Sequence, residues 1–353
     1  MSESRKLARI LPADAASRNK ASARIERLIM PHRALGRLLE LGEKVAGITG
    51  WENMDLGRKA VAVMAGDHGV AEEGVSAYPQ EVTGQMVRGF CAGGAGINVL
   101  GRHAGIEVMV VDMGVKSDLS DLVAAGKVVD ARVRPGTDNI RRGPAMSRVE
   151  AIRCLEAGIS VAHRLADSGV RMIGTGDMGI ANTTPSTAIA SAVTGLAPSR
   201  LAGRGTGVDE AGLARKIKVL EDALAVNRPD PRDGLDLLSK IGGFEIGGLA
   251  GLVLGAAERR IPVTVDGVIS AAAALIAFLL EPLTADYMFA AHRSVEPAQA
   301  EMFRLMGLEP ILDLGMRLGE GTGCALAMPI IEAGARVVRE MASFDEAGVS
   351  GKA

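Results

Sequence analysis

Ala60-Val61-Ala62-Val63-Met64-Ala65, running into Gly66-Asp67-His68-Gly69, is the stretch on which the fold turns. An unbroken apolar run, without the polar alternation of a half-exposed strand, suits a parallel strand buried on both faces. The glycine and the aspartate mark its end. The same pattern recurs along the chain. Ile106-Glu107-Val108-Met109-Val110-Val111 leads into Asp112-Met113-Gly114, and Val170-Arg171-Met172-Ile173 leads into Gly174-Thr175-Gly176-Asp177-Met178-Gly179. Ile261-Pro262-Val263-Thr264-Val265 leads into Asp266-Gly267. Helix-period segments lie between these runs: Val149 to Asp167, with apolar Ile152, Leu155, Ile159, Ala162 and Leu165, and Gly212 to Val226. This alternation predicts an α/β chain built on a doubly wound parallel sheet. Ligands of such sheets gather at the carboxyl ends of the strands. Here those ends carry Asp67, His68, Asp112, Asp177 and Asp266. About half of these aspartates are expected only to cap the helices that follow. A structural hydrogen bond is assigned to His68 in preference to acid–base catalysis.

The termini differ in character. Ala15 to Leu41 places Ile25, Leu28, Ile29, Leu35, Leu38 and Leu39 at helical spacing around a break at Pro31. Ile331 to Phe344 reads the same way. Residues 1–58 and 330–353 are therefore expected to pair as a small helical domain beside a large α/β unit, 59–329. With 353 residues, 48% of them hydrophobic and 23% charged, the chain can bury a sizeable core. Lys plus Arg number 40 against 42 Asp plus Glu, a net charge of −2, with no basic stripe and few aromatic faces. Sequence-independent nucleic-acid binding, which needs clustered cations and stacking platforms, is excluded on that basis.

The three cysteines (Cys91, Cys154, Cys324) and five histidines are scattered, so neither a disulfide framework nor a metal site is predicted. Met1 to Lys6 is polar and lacks a secretory apolar region, and the longest apolar run, Val268 to Leu280, is too short to span a bilayer. No membrane span and a cytoplasmic location are expected. Small residues from Gly247 to Ala257 predict a tight helix–helix or dimer contact. Arg141-Arg142 is expected to be a solvated pair.

Two glycine-rich segments are candidates for holding phosphate. In the first, Gly174 to Ser186, a strand feeds a turn and Pro185 suits the first turn of a helix, whose N–H groups can bind an anion. The second is Gly203-Arg204-Gly205-Thr206-Gly207-Val208-Asp209, followed by Lys216 as a mobile cation. Neither matches an NTPase P-loop or a dinucleotide fingerprint, which points to a nucleotide monophosphate or a sugar phosphate. A third segment, Leu312 to Gly323, holds a lone Glu320 among glycines beside an apolar run. A carboxylate held there, with its proton affinity raised by partial burial, is a candidate general base.

Taken together and in order, these segments carry a family resemblance. Ala65 to Val70, Tyr78 to Thr83, Gly93 to Asn98, Gly143 to Ser147, Gly176 to Pro185, Gly242 to Ile246, Asp266-Gly267 and Met316 to Gly321 cover nearly the whole chain. The sequence resembles the nicotinate-nucleotide:dimethylbenzimidazole phosphoribosyltransferases, which activate the lower-ligand base in cobamide assembly. That resemblance implies a Rossmann-like parallel sheet, a small all-helical domain from both termini, and no cofactor. It implies catalysis by Glu320 as general base, with Asp177 beside the nucleotide. Nucleotide contacts fall on Gly176, Gly179, Asn182, Gly203 and Gly205, with Lys216 at the phosphate and Ser294 near the nicotinate or ribose. The base pocket falls on Tyr78, Gln85, Met86, Met178 and Leu318. The substrates implied are nicotinate mononucleotide and a flat aromatic base. A homodimer is implied too, with a mixed dimer of paralogues as its alternative. One departure stands out: Asp177 replaces the family's usual glutamate, which withdraws the carboxylate by about 1.5 Å, one carbon–carbon bond. Two further readings are carried. A nucleotide-dependent oxidoreductase is disfavoured by the missing fingerprint, and a non-catalytic ribotide-binding partner is disfavoured by Glu320.

Overall fold

Residues 60–65 are completely buried and form the middle of the molecule. The computed structural model describes residues 8–350. Its elements begin α1 (Ala15–Ile25), α2 (Arg37–Thr49), β1 (Arg58–Gly66), α3 (Val82–Ala92), α4 (Gly96–Ala104), β2 (Ile106–Gly114), α5 (Ser120–Ala124) and β3 (Val128–Asp130). They continue α6 (Arg148–Asp167), β4 (Val170–Met178), α7 (Thr183–Thr194), α8 (Pro198–Leu201), α9 (Glu210–Asn227), α10 (Gly234–Ile241), α11 (Phe244–Glu258) and β5 (Val263–Val265). The last are α12 (Val268–Leu280), β6 (Met288–Ala290), β7 (His292–Ser294), α13 (Pro297–Met306), β8 (Leu312–Met316), α14 (Thr322–Glu340) and α15 (Phe344–Ala347).

Six strands form one parallel sheet in the order β3-β2-β1-β4-β5-β6. The chain winds outward from β1 in one direction and then from β4 in the other. The Rossmann-like reading is therefore correct, and the reversal point, between β1 and β4, is where such sheets open a crevice. β7 and β8 make a separate short parallel pair.

Both faces of the sheet are covered. Val61 and Met64 lie three residues apart on β1 and so point to opposite sides. A side chain at Gly248 of α11 would strike Met64, and one at Gly321, just before α14, would strike Val61. α11 and α14 thus sit on opposite faces. β4 runs on through the glycine-rich segment expected to be a turn, as far as Met178. Its glycines serve close approach: a Cβ at Gly174 would meet Cys324 and Met328 of α14 at 2.9 and 2.8 Å.

The small-residue run of α11 packs inside the chain. A Cβ at Gly158 of α6 would overlap the Gly248 carbonyl, and one at Gly251 would overlap that of Leu155. Arg142 is exposed, as expected of a solvated residue, whereas Arg141 is half-buried in a network of ion pairs. Arg141 bridges Glu73 at 2.5 Å and Asp222 at 3.0 Å, and Arg142 reaches Glu72 at 3.3 Å.

The two terminal segments touch. Leu28 bridges to Ser343, Phe344 N–H donates to Arg27 O at 3.0 Å, and Arg24 Nε donates to Val338 O at 3.0 Å. No helix among the described residues is long and apolar enough to cross a membrane, and Val268 to Leu280 is a helix whose first ten residues are buried.

Candidate active site

Glu320 owes its position to backbone conformation. Gly319, Glu320 and Gly321 are all left-handed, with φ of +79°, +62° and +89°. Glycine adopts this freely, whereas for Glu320 it costs on the order of 1–2 kcal/mol. The turn is held from below by Asp266, at the end of β5. Its Oδ2 accepts from Gly321 N–H at 3.0 Å, and its Oδ1 accepts from Gly323 N–H at 2.7 Å. Asp266 thereby caps the uncompensated start of α14. The Glu320 side chain is 6% exposed, and its Oε2 accepts from the N–H of Ile97 at the start of α4, at 3.0 Å. Burial pushes its carboxyl above the ordinary carboxylate range, the N–H groups of Ile97 and Gly96 pull it down, and the charge of Asp266 adds to the rise.

Asp177 ends β4. Its Oδ2 accepts from Asn182 Nδ2 at 3.0 Å, while its buried Oδ1 has no partner. Burial, followed by the charges of Asp266 and Glu245, drives its carboxyl well above the usual range. The other strand-end acids face inward to structure. Asp112 accepts from Gly114 and Val115 N–H and pairs with Arg132 at 2.7 Å. Asp67 accepts from Lys116 N–H at 2.8 Å. His68 Nε2 lies 2.7 Å from Glu245 Oε1, both buried. Asp177 alone of the four aspartates lines the cleft.

That cleft is a cavity of about 710 Å³ reaching from Glu320 and Asp177 to loop 203–207. Of the residues singled out from sequence, Tyr78, Met86, Asp177, Met178, Gly179, Asn182, Gly205, Ser294, Leu318 and Glu320 line it. Four do not. Gly176 lies behind the wall, where a Cβ would come within 2.5 Å of the Glu320 carbonyl. Gln85 is exposed, because α3 turns Val82 and Met86 to the cleft and rotates Gln85 away. Lys216 is fully buried rather than mobile. Its Nζ donates to Thr183 Oγ1 at 2.7 Å and Gly203 O at 3.3 Å, and burial lowers it to about 8. Gly203 faces the carboxyl of Glu296, which a Cβ there would overlap.

Sequence reasoning missed Glu296, Thr183, Arg317 and the wall at Gly267, Val268 and Ile269, all of which line the cavity. Glu296 precedes Pro297 at a helix start and reads as an ordinary cap. Arg317 Nη1 donates to Gly205 O at 3.0 Å, and Ala77 N–H donates to Thr206 Oγ1 at 2.9 Å. The loops that carry Leu318, Gly205 and Tyr78 are thus stitched together around one opening.

A phosphoribosyltransferase family model matches residues 10–349. Nicotinate-nucleotide–dimethylbenzimidazole phosphoribosyltransferase of Roseiflexus sp. (strain RS-1) is 54% identical over 346 residues, covering 98% of this chain and 97% of that protein. The chain belongs to this family. The like-named protein of Syntrophotalea carbinolica is 53% identical over 344 residues, covering 98% of this chain and 97% of its own length. The crystal structure of the family member from Thermus thermophilus superimposes with a TM-score of 0.90 at 43% identity, covering 96% of this chain and all of that one. The family's parallel sheet is thus the sheet described above.

Proposed function

We propose that the chain transfers the 5-phosphoribosyl group of nicotinate mononucleotide to 5,6-dimethylbenzimidazole or a related flat aromatic base. The products are nicotinate and an α-ribazole phosphate for the nucleotide loop of a cobamide. The observation that carries this reading is the cavity that joins a buried carboxylate, Glu320, to a glycine loop backed by Lys216. The phosphate sits at loop 203–207 and the start of α7, where N–H groups and the Lys216 charge meet it. The base lies between Tyr78, Met86, Met178 and Leu318. One ring nitrogen attacks C1′ of the ribose, the C1′–nicotinate bond breaks with its electron pair going to the pyridine nitrogen, and the other ring nitrogen gives its proton to Glu320.

Asp177 faces the ribosyl carbon, which turns cation-like as nicotinate leaves. The pyridinium of the bound nucleotide draws the Asp177 carboxyl toward its ionised form, opposing the effect of burial. Incubating the purified chain with nicotinate mononucleotide and dimethylbenzimidazole tests the assignment. Mass spectrometry is expected to find α-ribazole phosphate and free nicotinate, and finding neither overturns the reading.

Two adaptable thioethers in the base wall, Met86 and Met178, favour tolerance of several flat bases. Benzimidazole, a purine and a phenol assayed side by side test this, and strict use of one base refutes it. We also propose a cytoplasmic homodimer. Tyr78 and Leu318 are 57% and 60% exposed at the opening, an apolar rim suited to cover by a second copy. Light scattering of the purified chain separates this from a monomer or an obligate mixed dimer. Residues 1–58 and 330–353 are assigned to a small helical unit carried on the α/β unit 59–329. Residues 1–7 and 351–353 lie outside the described residues, and α14 runs unbroken through the boundary at 330.

A further inference from the structure

Glu296 is a buried acid in the cleft for which the reaction above has no task. It is 5% exposed. It occupies the N-cap position of α13 with extended backbone, φ −77° and ψ 115°, yet its side chain caps nothing. An aspartate at the N-cap turns back onto the first N–H groups of its helix, and the dipole favours any negative charge there. Here the carboxylate reaches away from α13. Its Oε1 accepts from Gly205 N–H at 2.8 Å, and its Oε2 is buried against Gly203 without a partner. Lys216 Nζ stands behind the same loop, bonded to Gly203 O at 3.3 Å, and the charge of Glu296 raises its proton affinity against the lowering by burial.

The anion seat of loop 203–207 is thus already filled by an acid of the chain. We infer that Glu296 is a displaceable occupant of the phosphate seat. It holds the loop, yields the Gly205 N–H to an incoming phosphate monoester, and turns to the Ala298 N–H in the first turn of α13. Three features support the exchange. A buried carboxylate oxygen without a partner is unfavourable, so the latched state is not the best one open to the side chain. The alternative, the Ala298 N–H, is two residues away, and the Glu296 backbone is already extended. A phosphate dianion and a carboxylate cannot share one N–H beside a single lysine without strong repulsion. Glu296 therefore sets how tightly the seat takes phosphate, and Gly203 lacks a side chain because the latch needs the room.

The inference rests on the phosphate placement proposed above. Its test is calorimetric titration of inorganic phosphate into the wild-type chain, Glu296→Gln and Glu296→Asp. The first variant removes the charge, and the second is one methylene too short to reach Gly205 but can still cap α13. Each is expected to bind phosphate about tenfold or more tightly than wild type, and Lys216→Met is expected to abolish binding in every background. Unchanged or weaker phosphate binding in the folded variants overturns the inference, as does binding that survives Lys216→Met. If phosphate behaves as expected but wild type transfers no phosphoribosyl group, only the reaction assignment falls. If transfer is normal and the variants do not tighten phosphate binding, only the latch falls.

Discussion

A side chain held in left-handed backbone between two glycines is costly unless its direction matters, and at Glu320 the direction is into the cleft, against the start of α4. Glu320→Gln keeps the shape and loses the proposed proton acceptor. Turnover is expected to fall by about 10²–10⁴-fold, with the KM for the nucleotide little changed. Steady-state kinetics checks this, and near-native turnover removes Glu320 from the role. Because burial raises its carboxyl, the residue is still protonated at pH values where an exposed glutamate has ionised. kcat/KM is expected to rise with pH through a limb lying above the ordinary carboxylate range, and the limb should vanish in Glu320→Gln. A limb at the usual carboxylate pKa would mean that another group titrates. Glu320 was legible as a candidate because it stands between glycines beside an apolar run. Lys216 was found as a charge but not as a buried one, since its anchors Thr183 and Gly203 come from different loops. Glu296 was invisible because its spacing before Pro297 matches a cap, and only the folded chain shows the cap unused.

Elements place these residues, and Asp266 is the joint. Replacing it with alanine leaves the N–H groups of Gly321 and Gly323 without their acceptor at the start of a 19-residue helix. Asp266→Ala is expected to destabilise the chain by about 1–3 kcal/mol and to lower turnover as well, because the freed turn carries Glu320. Denaturant melts and rates on the same preparation check it, and loss of stability with full activity would show that the turn holds itself. Gly251→Ala tests the contact of α6 with α11. The added methyl would overlap the Leu155 carbonyl, and overpacking of this kind costs about 1–3 kcal/mol; an unchanged denaturation midpoint would mean that the helices separate freely. The central strands were legible because burial on both faces leaves unbroken apolar runs. The second half of β4 was not, because Gly174 and Gly176 look like a turn until α14 and the Glu320 loop are seen pressed against them. The short β3, β6, β7 and β8 have too few residues to show a period.

The molecule as a whole gathers acids at one edge of its sheet, and that has a cost. Asp67, Asp177 and Glu320 all have carboxyls raised by burial. Between the ordinary carboxylate pKa and the raised one, the folded chain binds more protons than the unfolded chain. The stability these groups contribute is complete below the ordinary value and is lost as pH rises through the folded one. Near neutral pH the empty protein therefore carries a burden that a neutral side chain would not. Asp177→Asn is expected to be more stable than wild type there, by about 1–2 kcal/mol or a few degrees in Tm, with the advantage shrinking as pH falls toward the ordinary carboxylate range. On the proposed placement of Asp177 at the ribosyl carbon, its turnover should drop at least tenfold. The pyridinium of the nucleotide relieves the burden only where Asp177 is present, so nicotinate mononucleotide should raise the Tm of wild type more than that of the variant. Thermal melts at about pH 5 and pH 8, with and without nucleotide, check all three. A variant less stable than wild type at the higher pH would show that the Asp177 carboxyl supports the fold, and that no trade between stability and reaction exists at this residue.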